Sequence, residues 1–357
     1  MHGLARRLSV HMQSANFLNE FQYTAPFLSV VRSQDFGNMG SPEKRRCHVV
    51  SEKSYVLVTA AYNEEAFIET TIRSIVDQTY RPRRWIIVSD ASTDRTAEIV
   101  ARYAECNDFI ELVKITDDHP RNFAAQVNAI NTGIARLQHL QYDFIGNLDA
   151  DVSFDRDYFA RLLLKFEGNP RLGLGGGFVH DKCGDGKFRN RTWNSVNSVA
   201  HAVQLFRRGC FEATGAYVPL PYGGPDSHAE TTARMKGWEV ESFPDLVVNH
   251  HRPTGSAGGV LKSLLRQGKM DYSLGYLPLF EVFKLASRMP SKPYVVGAIT
   301  RFAGFIGSYW RRDKRAVTAE FMAFLRSEQR SRLRGVLPML ASGDLKRMSK
   351  TKNPVTP

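Results

Sequence analysis

No stretch of roughly eighteen residues in this 357-residue chain is both apolar and free of charge, so an ordinary membrane-spanning helix is not expected. The amino terminus, MHGLARRLSVHMQSANF, has basic residues with no apolar segment behind them, which argues against a secretory signal. Cysteine is scarce. Cys47, Cys106, Cys183 and Cys210 are scattered without metal-type or disulfide-framework spacing, as expected of a chain in a reducing cytoplasm. There is no zinc knuckle, helix-turn-helix signature or aromatic RNP strand, so only charge recommends a nucleic-acid-binding role.

That charge is considerable. The formal net charge of +12 suits an anionic partner: nucleic acid, a phosphate-bearing substrate or an anionic membrane surface. The basic residues are densest after residue 300, in WRRDKR and RSEQRSRLRG, apart from the acidic segments described next.

Residues 1–53 show no sustained periodicity and include the polar, turn-rich GNMGSPEKRR, which reads as a partly ordered arm. From Tyr55 the pattern changes to alternating strands and helices. YVLVTAAY, RWIIVSD, FIELVKI and YDFIGNL read as strands. Between them Ile68, Ile72, Ile75 and Val76, then Ile99, Val100 and Tyr103, then Val127, Ile130, Ile134 and Leu137 fall at helical spacing. Glu64 and Glu65 are expected in the first turn of the first helix, favourable near its positive end. The alternation implies an α/β class: an open, mostly parallel sheet flanked by helices. Ligands of such sheets sit beyond the carboxyl ends of the strands. Polar residues gather there: Asn63 and Glu64 after the first strand, Ser89 and Asp90 after the second, Asp149 and Asp151 after the fourth.

Two carboxylates one residue apart at the end of a buried strand repel one another and lose hydration unless a cation joins them. A hard divalent ion, Mg2+ or Mn2+, takes such oxygen ligands and completes its shell with phosphate. Alternatively, either aspartate caps the helix containing RDYFARLLLKF, as Asp155 also could.

Taken in order, VTAAYNEEAFIETTIRSIVDQTY, IIVSDASTDRTAEIV, NTGI, LDADVSFDRDYF, NPRLGLGGGF, RRGCFEATGAY, AETTARMKGWEV and HHR resemble the family 2 glycosyltransferases, which have the Rossmann-like glycosyltransferase A fold. The likeness runs over roughly residues 55–252. It implies that the Ala60, Tyr62 and Glu64 segment and Asp90 hold the base and ribose of a nucleotide, although Asp90 also reads as a turn residue. Asp94 reads as a helix cap. Asp149 would lie nearer the ribose, Asp151 would bind the metal, and His250 or His251 would add a ligand. Where many relatives have a glycine and a basic residue, this chain has Ala125 and Gln126, with Arg121 nearby either as a substitute charge for the donor phosphate or as a solvated arginine. It departs again at the general base. Aligning on Arg234 puts Ser227 and His228 where relatives carry Glu-Asp, leaving Asp226, His228 and Glu230 as candidates. Ser227 and Glu230 also fit a capping box.

Beyond residue 255, GSAGG suits a mobile loop that closes over a donor. PYVVGAITRFAGFIGSYW is apolar but holds Arg301. Val317, Phe321, Phe324 and Leu325 form an apolar helical face beside Lys314 and Arg326. Together they suit helices in an anionic membrane interface, over about 293–335; an ordinary packed helical subdomain is the alternative. RQGK and QRSR lack the tryptophan of the Q-x-x-R-W element, so processivity is not inferred.

The expected organisation is an arm over 1–53, a nucleotide-sugar-binding catalytic domain over 54–255, and a basic helical extension over 256–357. The expected function is inverting transfer of a sugar from a nucleotide diphosphate sugar to a glycan or lipid-linked acceptor hydroxyl. The setting is cytoplasmic, peripheral on the inner face of the cell membrane. A catalytically silent nucleotide-sugar scaffold and a basic nucleic-acid-binding protein are the rivals. A sugar nucleotidyltransferase would carry a glycine-rich, basic first loop that TAAYNEEA lacks.

Overall fold

The computed structural model describes residues 53–116, 123–191, 194–252, 259–289 and 293–341. The expected arm, apart from Lys53, lies outside the described residues, as do Arg121 and most of GSAGG.

The strands are β1 (Tyr55–Ala61), β2 (Arg84–Asp90), β3 (Ile110–Ile115), β4 (Phe144–Leu148), β5 (Val152–Phe154), β6 (Leu172–Lys182), β7 (Phe188–Asn190), β8 (Val203–Arg207) and β9 (Glu239–His250). They form one sheet in the order β3-β2-β1-β4-β8-β6-β9-β5, with β7 paired to β6. The first half, β3-β2-β1-β4, is parallel throughout, as the strand-helix alternation requires. The second half is mixed: β8 runs antiparallel to β4 and β6, whereas β6 and β9 are parallel.

Around the sheet pack α1 (Ile68–Val76), α2 (Thr96–Cys106), α3 (Phe123–Arg136), α4 (Tyr158–Gly168), α5 (Arg208–Thr214) and α6 (Pro225–Met235). Both faces of the sheet are covered. Tyr55, Leu57, Trp85 and Ile87 meet Ile68, Ile72, Ile75, Phe159 and Leu162 on one face. Val56, Val58, Ile86 and Val88 meet Val127, Ile130, Ala229 and Ala233 on the other. The two-residue strand period sends neighbouring side chains to opposite faces, which is why β1 and β2 read as unbroken apolar runs. α1 begins at Ile68, later than the expected start at Glu64. Glu64 and Glu65 belong to the turn before it, where Phe67 and Ile68 donate to the Glu64 carbonyl at 2.9 and 2.8 Å.

The extension is helical: α7 (Val260–Ser273), α8 (Pro278–Arg288), α9 (Tyr294–Arg311) and α10 (Ala319–Ala341). α7 and α9 pack backbone to backbone, since a Cβ on Gly268 would overlap the Arg301 carbonyl and one on Gly304 the Leu265 carbonyl. α10 turns Phe321 and Leu325 inward onto Leu220 and Leu274. Its apolar face is thus the ordinary packed one rather than a membrane-facing one.

Candidate active site

The loops after β1 and β2 are tied to each other. Asn63 Oδ1 accepts the Thr93 N–H at 2.8 Å, and the Glu64 N–H donates to Thr96 Oγ1 at 2.7 Å. Asp94 accepts from Thr96 N–H and Glu65 N–H, each at 3.0 Å, and so fastens the turn leading into α2, whose N-cap position is Arg95 and not Asp94 as expected. Asn63 and Ala91 take left-handed φ values of 52° and 51°. For alanine that conformation costs about 1 to 2 kcal/mol, a strain that collects at functional loops. Asp90 is buried at the end of β2, and Tyr62 stands exposed in the turn beyond β1.

The sheet register builds the acidic centre. β5 pairs with β9 so that Val152, the residue after Asp151, faces His250, while β6 pairs with β9 so that Asp181 faces the same histidine. Ligand atoms of Asp149, Asp151 and His250 all lie within 4.8 Å of one another. His250 Nε2 is 3.5 Å from Asp151 Oδ1, and its Nδ1 is 3.0 Å from Asp181 Oδ1. An ionised carboxylate only accepts, so Nδ1 carries the proton and Nε2 is left as a ligand toward the aspartates. Asp181 is itself gripped by Arg191, whose Nη2 and Nε donate at 2.7 and 2.9 Å. A histidine aimed by a carboxylate, itself fixed by another charge, is how proteins support a metal ligand from behind.

Burial and then the Asp149 charge push Asp151 up to about 6, against His250 and Arg252. Asp149 is held below its ordinary value: burial raises it, but the hydrogen bond and charge of His201 outweigh that. His201 Nδ1 lies 3.3 Å from Asp149 Oδ1, and its carbonyl accepts from Asn147 Nδ2 at 2.7 Å. Burial alone would lower His201; the Asp149 bond and charge, with a smaller push from Asp226, leave it raised. Arg252 bridges the centre to the first loop, with Nε 3.5 Å from Asp151 Oδ2 and Nη2 paired to Glu64. Burial still pushes Glu64 up to about 7. Two carboxylates and an imidazole could hold a divalent cation, whose charge would relieve this repulsion.

His251 does not join the centre. Its Nε2 bonds Ser153 Oγ at 2.8 Å and its ring meets Phe188 edge-on. Gln126 is exposed on α3. On α6 the capping box does not form, because Gly224 precedes the helix and Pro225 opens it, which places Ser227 within the first turn. Glu230 is instead buried under the loop before β8, accepting from Val199 N–H at 2.7 Å and Ser198 Oγ at 3.1 Å. Burial pushes it up to about 8, against Arg234. His228 stacks on Phe321 of α10, ring centroids 4.7 Å apart, and burial lowers it. Asp226 is half-buried in the first turn of α6, close enough for its charge to act on His201, Tyr217 and Glu230. Asp181, Arg191 and His201 have no sequence motif to announce them; the pairing of β6 with β7 and β9, and of β8 with β4, brings them in.

Residues 56–217 match the family model Glycosyl transferase family 2. A poly-β-1,6-N-acetyl-D-glucosamine synthase of Staphylococcus aureus (strain COL) is 34% identical over 247 residues, covering 63% of this chain and 56% of the relative. The Staphylococcus epidermidis protein of the same name is 32% identical over 136 residues, covering 37% of this chain and 31% of its own. The chain thus spans little more than half the length of the longer-matching relative. Among solved structures, a mannosyltransferase from Pyrobaculum calidifontis in complex with GDP-Man and Mn2+ aligns with TM-score 0.49 and 19% identity, covering 94% of this chain and 91% of that one. The matched segment holds the strand-end loops and the Asp149–Asp151 pair, and over that segment the chain is similar to glycosyl transferase family 2.

Proposed function

We propose that this protein transfers a sugar, with inversion, from a nucleotide diphosphate sugar to a hydroxyl of a glycan or lipid-linked acceptor. The observation that carries the reading is His250, aimed by Asp181 at the Asp149–Asp151 pair. These three residues would hold Mg2+ or Mn2+, which when bound offsets the charge of a leaving diphosphate. Ala60, Tyr62, Glu64 and Asp90 line the edge that receives the nucleoside, and Asp149, fixed by His201, meets the ribose. The names of the staphylococcal relatives make an N-acetylglucosamine donor the first to try.

The acceptor hydroxyl needs a base within hydrogen-bond reach. Glu230 already accepts two hydrogen bonds and is buried, and His228 is covered by Phe321, so Asp226 takes this role in our reading. The work is divided at about residue 255, with the helical extension resting on an anionic membrane. No helix among the described residues is long and apolar enough to cross one.

Turnover of the donor with Mn2+ is the test. Asp226→Asn should lower the rate by roughly a hundredfold or more while donor binding is kept. An unaltered rate together with a collapse in His228→Ala moves the base to the histidine. A wild-type protein that binds donor yet turns nothing over is the silent scaffold.

A further inference from the structure

Helix α8 is built the wrong way round for water, and α7 and α9 each bury a charged residue, Asp271 and Arg301, while exposing aliphatic ones. On α8 the buried positions are Glu281, Lys284 and Ser287, while Leu279, Val282, Ala286 and Met289 form the exposed stripe. Inside the three-helix body Lys284 Nζ pairs with Asp271 at 2.9 Å and Glu281 at 3.1 Å, and Arg301 Nη2 pairs with Asp271 at 2.6 Å. Outside, α9 presents Val295, Val296 and Ile299, continued on α7 by Leu261 and Leu265. Among the described residues, every exposed large apolar side chain except Tyr62 and Val196 lies between Val260 and Trp310. Burying ions and exposing aliphatic groups costs free energy in water on both counts. It is favourable where the surroundings are hydrocarbon.

We propose that the outer face of α7, α8 and α9 is seated in the headgroup–acyl boundary of an anionic lipid bilayer. This rests on the peripheral-membrane reading above and moves it from about 293–335 to a face that includes α7 and α8 and excludes α10. Charge identifies the occupant. The acids of these three helices, Asp271 and Glu281, are both buried, whereas Lys262 is exposed, as are Arg311, which pairs with Asp313 at 3.0 Å, and the following Arg312 and Lys314. A second copy docked on the same face across a two-fold axis would set these cations against their own copies, with Asp313 already taken by Arg311. An anionic headgroup layer pairs them directly. Aromatic rings flank the aliphatic stripe of α9, Tyr294 at one end and Tyr309 and Trp310 at the other, in the positions such rings take at a membrane interface. At about 1.5 Å per residue the 18 residues of α9 reach roughly 27 Å, enough to lie along the surface, and Arg301 meets Asp271 inside the body instead of lipid.

The experiment is flotation of the full chain with phosphatidylcholine vesicles, with and without phosphatidylglycerol, for wild type and for Val282→Glu combined with Val296→Glu. Both positions are exposed, 48% and 58%, so the variant should keep the fold and the nucleotide-dependent melting shift of wild type. We expect wild type to float with the anionic vesicles and the variant to lose at least tenfold in partitioning. Should the double variant melt early, Leu279→Ser is read in the same way. Wild type bound and variant equally bound overturns the placement on this face while leaving the peripheral reading. Wild type bound to neither vesicle overturns both. A concentration-dependent dimer in light scattering, abolished by the double variant, gives the face to a second copy and overturns the proposal.

Discussion

Asp181 shows how much one residue behind the centre can decide. Its oxygens take the Nδ1–H of His250 and the Nε–H and one Nη2–H of Arg191, so the imidazole is fixed in tautomer and direction before any ion arrives. Asp181→Asn keeps the shape and removes the charge. Loss of such a partner typically costs about 10- to 100-fold in metal affinity, so Mn2+ titration should show a weakening in that range, with melting little changed. Equal affinity would make the contact merely structural. Glu230 offers a test through pH. Its value is raised by burial from 4.5 to about 8, so between those limits the folded protein holds a proton that the unfolded chain has released. Stability from this group is therefore fully present below 4.5 and is lost as pH rises toward about 8. Glu230→Gln should flatten that part of the melting-temperature profile, and parallel profiles for the two proteins would contradict the assignment.

At the scale of elements, helical periodicity locates an apolar face without saying what covers it. The Val317, Phe321 and Leu325 stripe of α10 has the same period whether it meets lipid or, as it does, Leu220 and Leu274. α8 is harder to read from sequence, since its polar stripe is the buried one and the ion pairs that make this tolerable come from α7 and α9. The contact between those two helices depends on glycine. Gly268→Ala drives a methyl into the Arg301 carbonyl, and overpacking of this kind costs about 1 to 3 kcal/mol. Urea unfolding should record that loss, and an unchanged midpoint would mean the helices can part at no cost.

Across the whole molecule, the parallel half of the sheet and its strand-end residues were legible because local periodicity and the crossover rule fix them together. Glu64, Asp90, Asp149 and Asp151 fall on one edge for that reason. Asp181 and His201 were not legible, because each enters through a pairing of distant strands that no local pattern encodes; Arg191 reaches Asp181 through the β6–β7 pairing, and no motif announces it. The same register settles which of two adjacent histidines faces the aspartates, a choice that HHR left open. The chain carries an excess of positive charge, yet its centre is acidic, with Arg252 and Arg191 as the neighbouring cations. In the proposed reading such a centre would repel an anionic donor until a divalent ion is present. Isothermal titration of a nucleotide diphosphate N-acetylglucosamine donor, with and without Mn2+, tests this most directly in wild type, His250→Ala and His251→Ala. The account requires binding that depends on Mn2+, is lost in His250→Ala and is kept in His251→Ala. Equal affinity with and without the ion, or equal loss in the two histidine variants, would contradict it.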